Sequence, residues 1–252
     1  MSAAGAEYWD TLPLGRGVRL VTRDENGVAA LAKPAGALSH PNSAKGEARA
    51  LLTCAYEQGR ECFTWHGPDG AERRLWLLNR LDSATSGLVL AASDEAVARA
   101  IKEQFARRQV HKVYQALVFG VPREPRQTWR DRLTVERRGG TLRTGAGGNL
   151  PAEADFAVVR QQPGPPALAL VQLEPRTGRS HQLRVQCARR GLPIVGDQTY
   201  GDFRANHQYA RATGRKRMFL HSLETSFAYE WAGRRWNFRA TDPLPPEFTI
   251  GG

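Results

Sequence analysis

An unbroken apolar run, Leu88 to Ala92, follows a polar stretch and predicts a strand buried on both faces. Upstream, Val18–Val21 and Val28–Ala32 predict two short strands around the turn Asp24-Glu25-Asn26-Gly27. Pro34-Ala35-Gly36 then breaks the pattern. Residues 46–66 contain Ala and Leu with weak periodicity and predict a partly helical stretch. After the turn Gly67-Pro68-Asp69-Gly70, the apolar Leu75–Leu78 leads into a polar loop ahead of Leu88. Ser93 predicts a helix N-cap with Asp94 and Glu95 in the first turn, where carboxylates oppose the helix dipole. Val97, Ile101 and Phe105 recur every four residues, so this helix lays that face on a sheet and ends at Arg107 and Arg108.

The second half alternates more clearly. In the segment Lys112–Gly120, Tyr114, Ala116 and Val118 share one strand face, while Val113, Leu117 and Phe119 take the other. Arg123 to Asn149 is basic and rich in turn residues, and Ala167–Leu173 predicts a further strand. Ser180 predicts the cap of a helix from His181 to Arg190, stopped by Gly191 and Pro193. Asp202 to Arg217 is basic and irregular, and reads as a mobile flap or as an ordinary solvated loop. The chain shows no repeats and no linker long enough to divide domains.

Composition narrows the function. A chain of 252 residues can bury a sizeable core, as one large domain or two small ones. Lys+Arg 36 against Asp+Glu 25 leaves +11, an excess that a fold does not need and a polyanionic partner rewards. Arginine outnumbers lysine, which suits planar contacts to phosphate and bases, although GC-rich coding raises arginine too. Cys54, Cys62 and Cys187 are too few and too oddly spaced for a disulfide framework or a zinc site. With no signal peptide and no apolar stretch of membrane-spanning length, the expectation is a soluble cytoplasmic protein without a membrane partner.

The chemistry centres on the string from Asn79 to Leu90. It sets Arg80 and Asp82 two residues apart on a polar turn beside the buried strand. A carboxylate held by such a scaffold suits a nucleophile or a general base, while a turn-forming aspartate is the plainer alternative. No second acidic residue nearby recommends the paired-carboxylate chemistry of a glycosidase. Gly145-Ala146-Gly147-Gly148 lacks the spacing and the strand–helix context of a dinucleotide fingerprint.

The string resembles the catalytic motif of the RluA-type RNA pseudouridine synthases, HRLD followed after two residues by TSGLLLLA. Lys112–Gly120 resembles that family's second motif, and Gly178-Arg179-Ser180-His181-Gln182-Leu183-Arg184-Val185-Gln186 its third, GRTHQLRVH. Gly196–Gly201 fits as well, with weaker likenesses at Lys33-Pro34-Ala35-Gly36 and Phe219-Leu220-His221-Ser222. The strings run in family order over nearly the whole chain. The resemblance implies an α+β fold, one catalytic domain over residues 1–252 around a mixed, largely antiparallel sheet flanked by helices. A separate S4-type RNA-binding domain is not expected. The implied activity is isomerisation of uridine to pseudouridine in structured RNA, rRNA or tRNA, by a monomer that uses no cofactor and no metal. The rival is a non-catalytic RNA-binding or ribosome-assembly protein on the same fold.

Residue by residue, the resemblance makes Asp82 the catalytic carboxylate, as nucleophile or as base. It makes Arg184 its arginine partner, Tyr114 the residue that stacks on the target base and deprotonates C5, and Leu183 an apolar neighbour. Arg80 is the side chain that enters the RNA stack when the base is extracted, with a structural salt bridge as the alternative. Without a separate binding domain, RNA contact falls to basic segments, Arg204, Arg211, Arg215, Lys216 and Arg217 first. Asn79 and Gln186 stand where the family carries histidines; both can still donate and accept hydrogen bonds.

Overall fold

In the computed structural model, which describes residues 3–41, 44–138 and 141–250, the chain divides into two units. The first takes the residues up to Val110 and then Glu224–Asp242; the second takes His111–Leu223 and the residues from Pro243 onward. The first contains helix α1 (Ala3–Asp10), strands β1 (Arg19–Arg23), β2 (Val28–Lys33), β3 (Ala55–Glu57), β4 (Cys62–His66), β5 (Glu72–Leu77) and β6 (Ser86–Ala92), and helix α2 (Glu95–Ala106). The second contains strands β7 (His111–Phe119), β8 (Arg126–Arg138), β9 (Thr141–Ala146), β10 (Leu150–Gln162) and β11 (Leu168–Pro175), and helices α3 (Gln182–Arg189) and α4 (Phe203–Thr213). Strand β12 (Leu220–Trp231) begins in the second unit and enters the first at Glu224, where β13 (Arg234–Thr241) follows. The fold class is α+β.

In the first unit β2 and β6 are buried along their whole lengths and pair antiparallel, Leu31 opposite Val89 and Lys33 opposite Gly87. Valine, leucine and alanine serve here because neither face meets water. Val97, Ala98 and Ile101 of α2 pack on this pair together with Phe227 and Phe238. The cap of α2 is Asp94, not Ser93: the Asp94 carboxylate accepts from Val97 N at 2.9 Å. The backbone N–H of Ser93 is spent instead on the carbonyl of Gly27, which ties the end of β6 to the β1–β2 turn and delays the helix by a residue.

Residues 46–66 depart from the helical expectation. A 3-10 turn over Ala44–Arg49 is their only helical part, and β3 and β4 follow. Phe63 pairs with Leu75 across β4 and β5 and is fully buried, so cross-strand burial overrides a weak local preference.

In the second unit β7, β11, β10, β8 and β9 pair antiparallel in that order. The turn-rich expectation for residues 123–149 is corrected to the long hairpin β8–β9, of which residues 139 and 140 lie outside the described part. Trp129 and Leu133 supply its buried face, and the polar residues between them mask the alternation. Ser180 does not cap α3: His181 occupies that position in the left-handed region, φ 53°, without a side-chain cap bond. The flap expected at Asp202–Arg217 is largely the ordered helix α4, capped by Asp202 through Ala205 N and closed by Gly214 at φ 72°.

Candidate active site

Asp82 sits on the loop between β5 and β6, and three side chains of the first unit hold that loop. Ser39 Oγ accepts from Leu81 N and donates to Leu81 O, both at 2.9 Å. Lys33, with 1% of its surface exposed, ends β2 and donates from Nζ to the carbonyls of Ala37 (2.8 Å), Ser83 (3.1 Å) and Pro34 (3.2 Å). A buried ammonium is costly unless hydrogen-bonded, so these carbonyls fix the backbone just after Asp82. Gly36 N also donates to Ser83 O at 2.7 Å, and Thr85 N closes a turn on Asp82 O at 3.0 Å. Asn79, in the position of the family's histidine, accepts from Leu90 N at 2.7 Å and so anchors the loop to β6. The result is a half-buried carboxylate on a braced loop at the end of a fully buried strand.

Arg80 lies on the outer side of the loop, its side chain 59% exposed and its guanidinium 3.7 Å from Glu61. Glu61 also receives Lys102 at 2.7 Å. An exposed pair at that distance contributes little to stability. A structural salt bridge therefore explains little about Arg80.

The second unit carries the other candidates. Tyr114, half-buried, lies on β7 opposite Leu173 of β11. Leu183 and Arg184 lie in the first turn of α3 and are both buried. Arg184 binds Asp197 bidentately, Nε to Oδ2 and Nη2 to Oδ1, both at 2.7 Å, and its guanidinium lies over the Tyr200 ring at 5.0 Å. Burial pushes the Asp197 carboxyl up, but Arg184 and the amides of Tyr200 and Thr199 outweigh it and hold the carboxyl below its ordinary value. The Tyr200 hydroxyl meets His181 Nδ1 at 2.8 Å and accepts from Thr144 N at 2.9 Å. Asn206 of α4 donates to Asp197 O and accepts from Gly196 N. Gly196 itself is required, since a Cβ there would stand 1.9 Å from the carbonyl oxygen of Arg217. Arg184 thus rests on a network drawn from β9, α3, α4 and the loop between the helices.

Gln186, the other departure from the family pattern, is fully buried and donates to Asp131 at 2.8 Å. Asp131 also receives Arg190 at 2.9 Å and Arg189 at 3.1 Å. The amide fills a structural position, and no imidazole charge is needed there.

The five basic residues separate into two kinds. Arg204 and Arg211 lie on the exposed face of α4, opposite the buried Asn206 and Tyr209, and Lys216 is exposed after it. Arg215 donates to Glu247 O, and Arg217 pairs with the Glu247 carboxylate at 2.7 Å while lying over the Phe248 ring at 5.0 Å. Arg217 therefore holds the end of the chain in place.

Sequence reasoning assigned no role to Lys33, Ser39, Asp197 or Tyr200. A lysine closing the apolar strand Val28–Lys33 is the one local signal among them, because a buried cation needs acceptors. Among the described residues there is no cluster of His, Cys, Asp or Glu suited to a metal, and no helix long and apolar enough to cross a membrane.

A profile of the family described as RNA pseudouridylate synthase matches residues 27–189. An uncharacterized RNA pseudouridine synthase of Chloroflexus aurantiacus is 33% identical over 232 residues, covering 86% of this chain and 63% of the relative. A ribosomal large subunit pseudouridine synthase C of Vibrio vulnificus is 34% identical over 157 residues, 62% of this chain and 48% of the relative. A tRNA pseudouridine synthase C of Yersinia pestis is 32% identical over 230 residues, with 81% and 79% covered. The chain thus spans 63% and 48% of the lengths of the first two. Human RNA pseudouridylate synthase domain containing 1 shares the fold, with a TM-score of 0.67 at 23% identity over 92% of this chain and 86% of that one.

Proposed function

This chain belongs to the RNA pseudouridylate synthase family, and on that footing we propose that it isomerises uridines of rRNA or tRNA to pseudouridine with Asp82 as the catalytic carboxylate. The observation that carries the reading is the setting of Asp82: a half-buried carboxylate on a loop clamped by Lys33, Ser39 and Asn79. The reaction breaks the bond from N1 to C1′, forms one from C5 to C1′, and moves the C5 proton off the ring while N1 gains one. Nothing is oxidised or hydrolysed, so side chains suffice. Asp82 attacks the sugar or removes a sugar proton to release the base. Tyr114 stacks on the uracil and accepts the C5 proton. Arg184, held by Asp197, takes the role that the family resemblance gives the arginine of its third motif, and Leu183 that of the motif's apolar residue. Arg80, exposed and weakly paired, fills the gap left in the RNA when the uridine is drawn out, a step that costs a few kcal/mol.

The test is tritium release from rRNA and tRNA transcripts labelled with 5-tritiated uridine, since the C5 proton leaves only when isomerisation is completed. Release from neither transcript would refute the reading. Tyr114→Phe keeps the ring and removes the hydroxyl, so RNA affinity is expected to hold while turnover falls by about two orders of magnitude, the usual reach of general base catalysis. Near-normal turnover would reduce Tyr114 to a stacking role.

For RNA contact we propose the exposed face of α4. Replacing Arg204 and Arg211 with alanine is expected to flatten the plot of log affinity against log salt by about one to two units, because each phosphate neutralised releases condensed counterions. An unchanged slope would move the contact to another basic surface.

A further inference from the structure

On β7, Lys112 precedes Tyr114 by two residues, so both side chains leave the same face of the strand, about 7 Å apart along it. The Lys112 ammonium reaches the loop that enters α3, its Nζ lying 3.7 Å from where a Cβ on Gly178 would stand. Gly178 is exposed and adds no side chain to cover it. The protein gives its other enclosed cations acceptors: Lys33 has three carbonyls, Arg184 has Asp197, and Arg190 has Asp131. Lys112 has no hydrogen-bond or ion-pair partner among the described residues. It is also half-buried, and burial alone lowers its pKa. An enclosed ammonium without an acceptor costs free energy that the fold does not recover. An arriving anion recovers it. Backbone phosphate is the anion that RNA brings, and an ammonium suits it as a compact point charge.

We propose that Lys112 anchors a backbone phosphate at or next to the nucleotide whose base Tyr114 engages, and so sets the register of the RNA on β7. The proposal rests on the pseudouridine synthase reading for the role of Tyr114, and it makes Lys112 a positioning residue.

The test uses the full chain with Asp82→Asn, so that binding is measured without turnover. The probe is a synthetic RNA hairpin carrying one loop uridine. Lys112→Gln is expected to weaken binding about tenfold and to reduce the salt slope by about one unit, the share of a single phosphate. Lys112→Arg should restore most of both. In the protein with Asp82 intact, the rate at saturating RNA should change less than threefold while the half-saturating concentration rises. A neutral methylphosphonate walked through the phosphates flanking the uridine should reveal one position that weakens the wild type as much as Lys112→Gln does, and that weakens Lys112→Gln no further. A folded Lys112→Gln protein with unchanged affinity and slope would overturn the proposal. So would losses that add at every position. Should Lys112→Gln fail to fold, the walk on Lys112→Arg and wild type decides, and an RNA indifferent to every methylphosphonate sinks the idea. Absence of tritium release by the wild type would count against the pseudouridine reading alone, because binding and slope are read without turnover.

Discussion

Asp82→Asn is expected to cut tritium release from 5-tritiated uridine RNA by a thousandfold or more, on the order of what loss of a nucleophile or essential base costs. Folding and RNA affinity should stay within about twofold of the wild type, because the change keeps the volume of the side chain and the loop is held by other groups. Ser39 clamps Leu81, and Lys33 holds Ser83. Thr85 bonds the main-chain oxygen of residue 82, which asparagine retains. No other acidic residue on the loop can substitute, since its neighbours are Arg80, Leu81, Ser83, Ala84 and Thr85. Single-turnover kinetics, circular dichroism and filter binding on one preparation separate the two effects. Turnover within tenfold of normal in a folded variant would remove Asp82 from the chemistry.

Asp197→Asn is expected to destabilise the second unit by about 3–5 kcal/mol, the usual consequence of removing one partner from a buried ion pair. Arg184 would keep its charge, buried, with a neutral amide in place of the bidentate carboxylate. The effect has a defined dependence on pH. Asp197 is held below its ordinary value of 3.8, so the folded protein binds this proton less readily than the unfolded chain does. Its contribution is therefore fully present above that ordinary value and is lost as pH falls through the lower folded value. Urea denaturation of wild type and variant should show the full gap at pH 7 and a narrowing gap below about pH 4. Turnover should fall as well, because Arg184 loses the group that orients it. A gap below about 1 kcal/mol at pH 7 would mean that Tyr200 and the rest of the network hold Arg184 without the carboxylate.

The chain alone determined the parts whose physics is local. The run Leu88–Ala92 announced a strand with no wet face, and β6 is buried throughout. Val97 and Ile101 at helical spacing announced the inner face of α2. The alternation through Tyr114 announced β7. The motif strings around Asp82, Tyr114 and Arg184 led to the family because each is contiguous, so a single stretch carries its own signal.

Tertiary structure decided what rests on partners distant in sequence. Strand β4 is fixed by the pairing of Phe63 with Leu75, and no window of residues 46–66 contains that partner. Helix α4 hid as an irregular segment because its anchors are few and mixed: Tyr209 packs between Phe119 and Phe219, while Asn206 reaches the backbone of Gly196 and Asp197, a contact that hydropathy does not register. The grip of Lys33 on the Asp82 loop spans fifty residues from Lys33 to Ser83. The arrangement of acceptors likewise sorts the basic residues into Arg184 and Arg217, which are paired with carboxylates, and Lys112, which is not. Charge is written in the sequence. Whether a charge is satisfied depends on which acceptors folding brings within about 3 Å, and that is settled only when the chain has closed on itself.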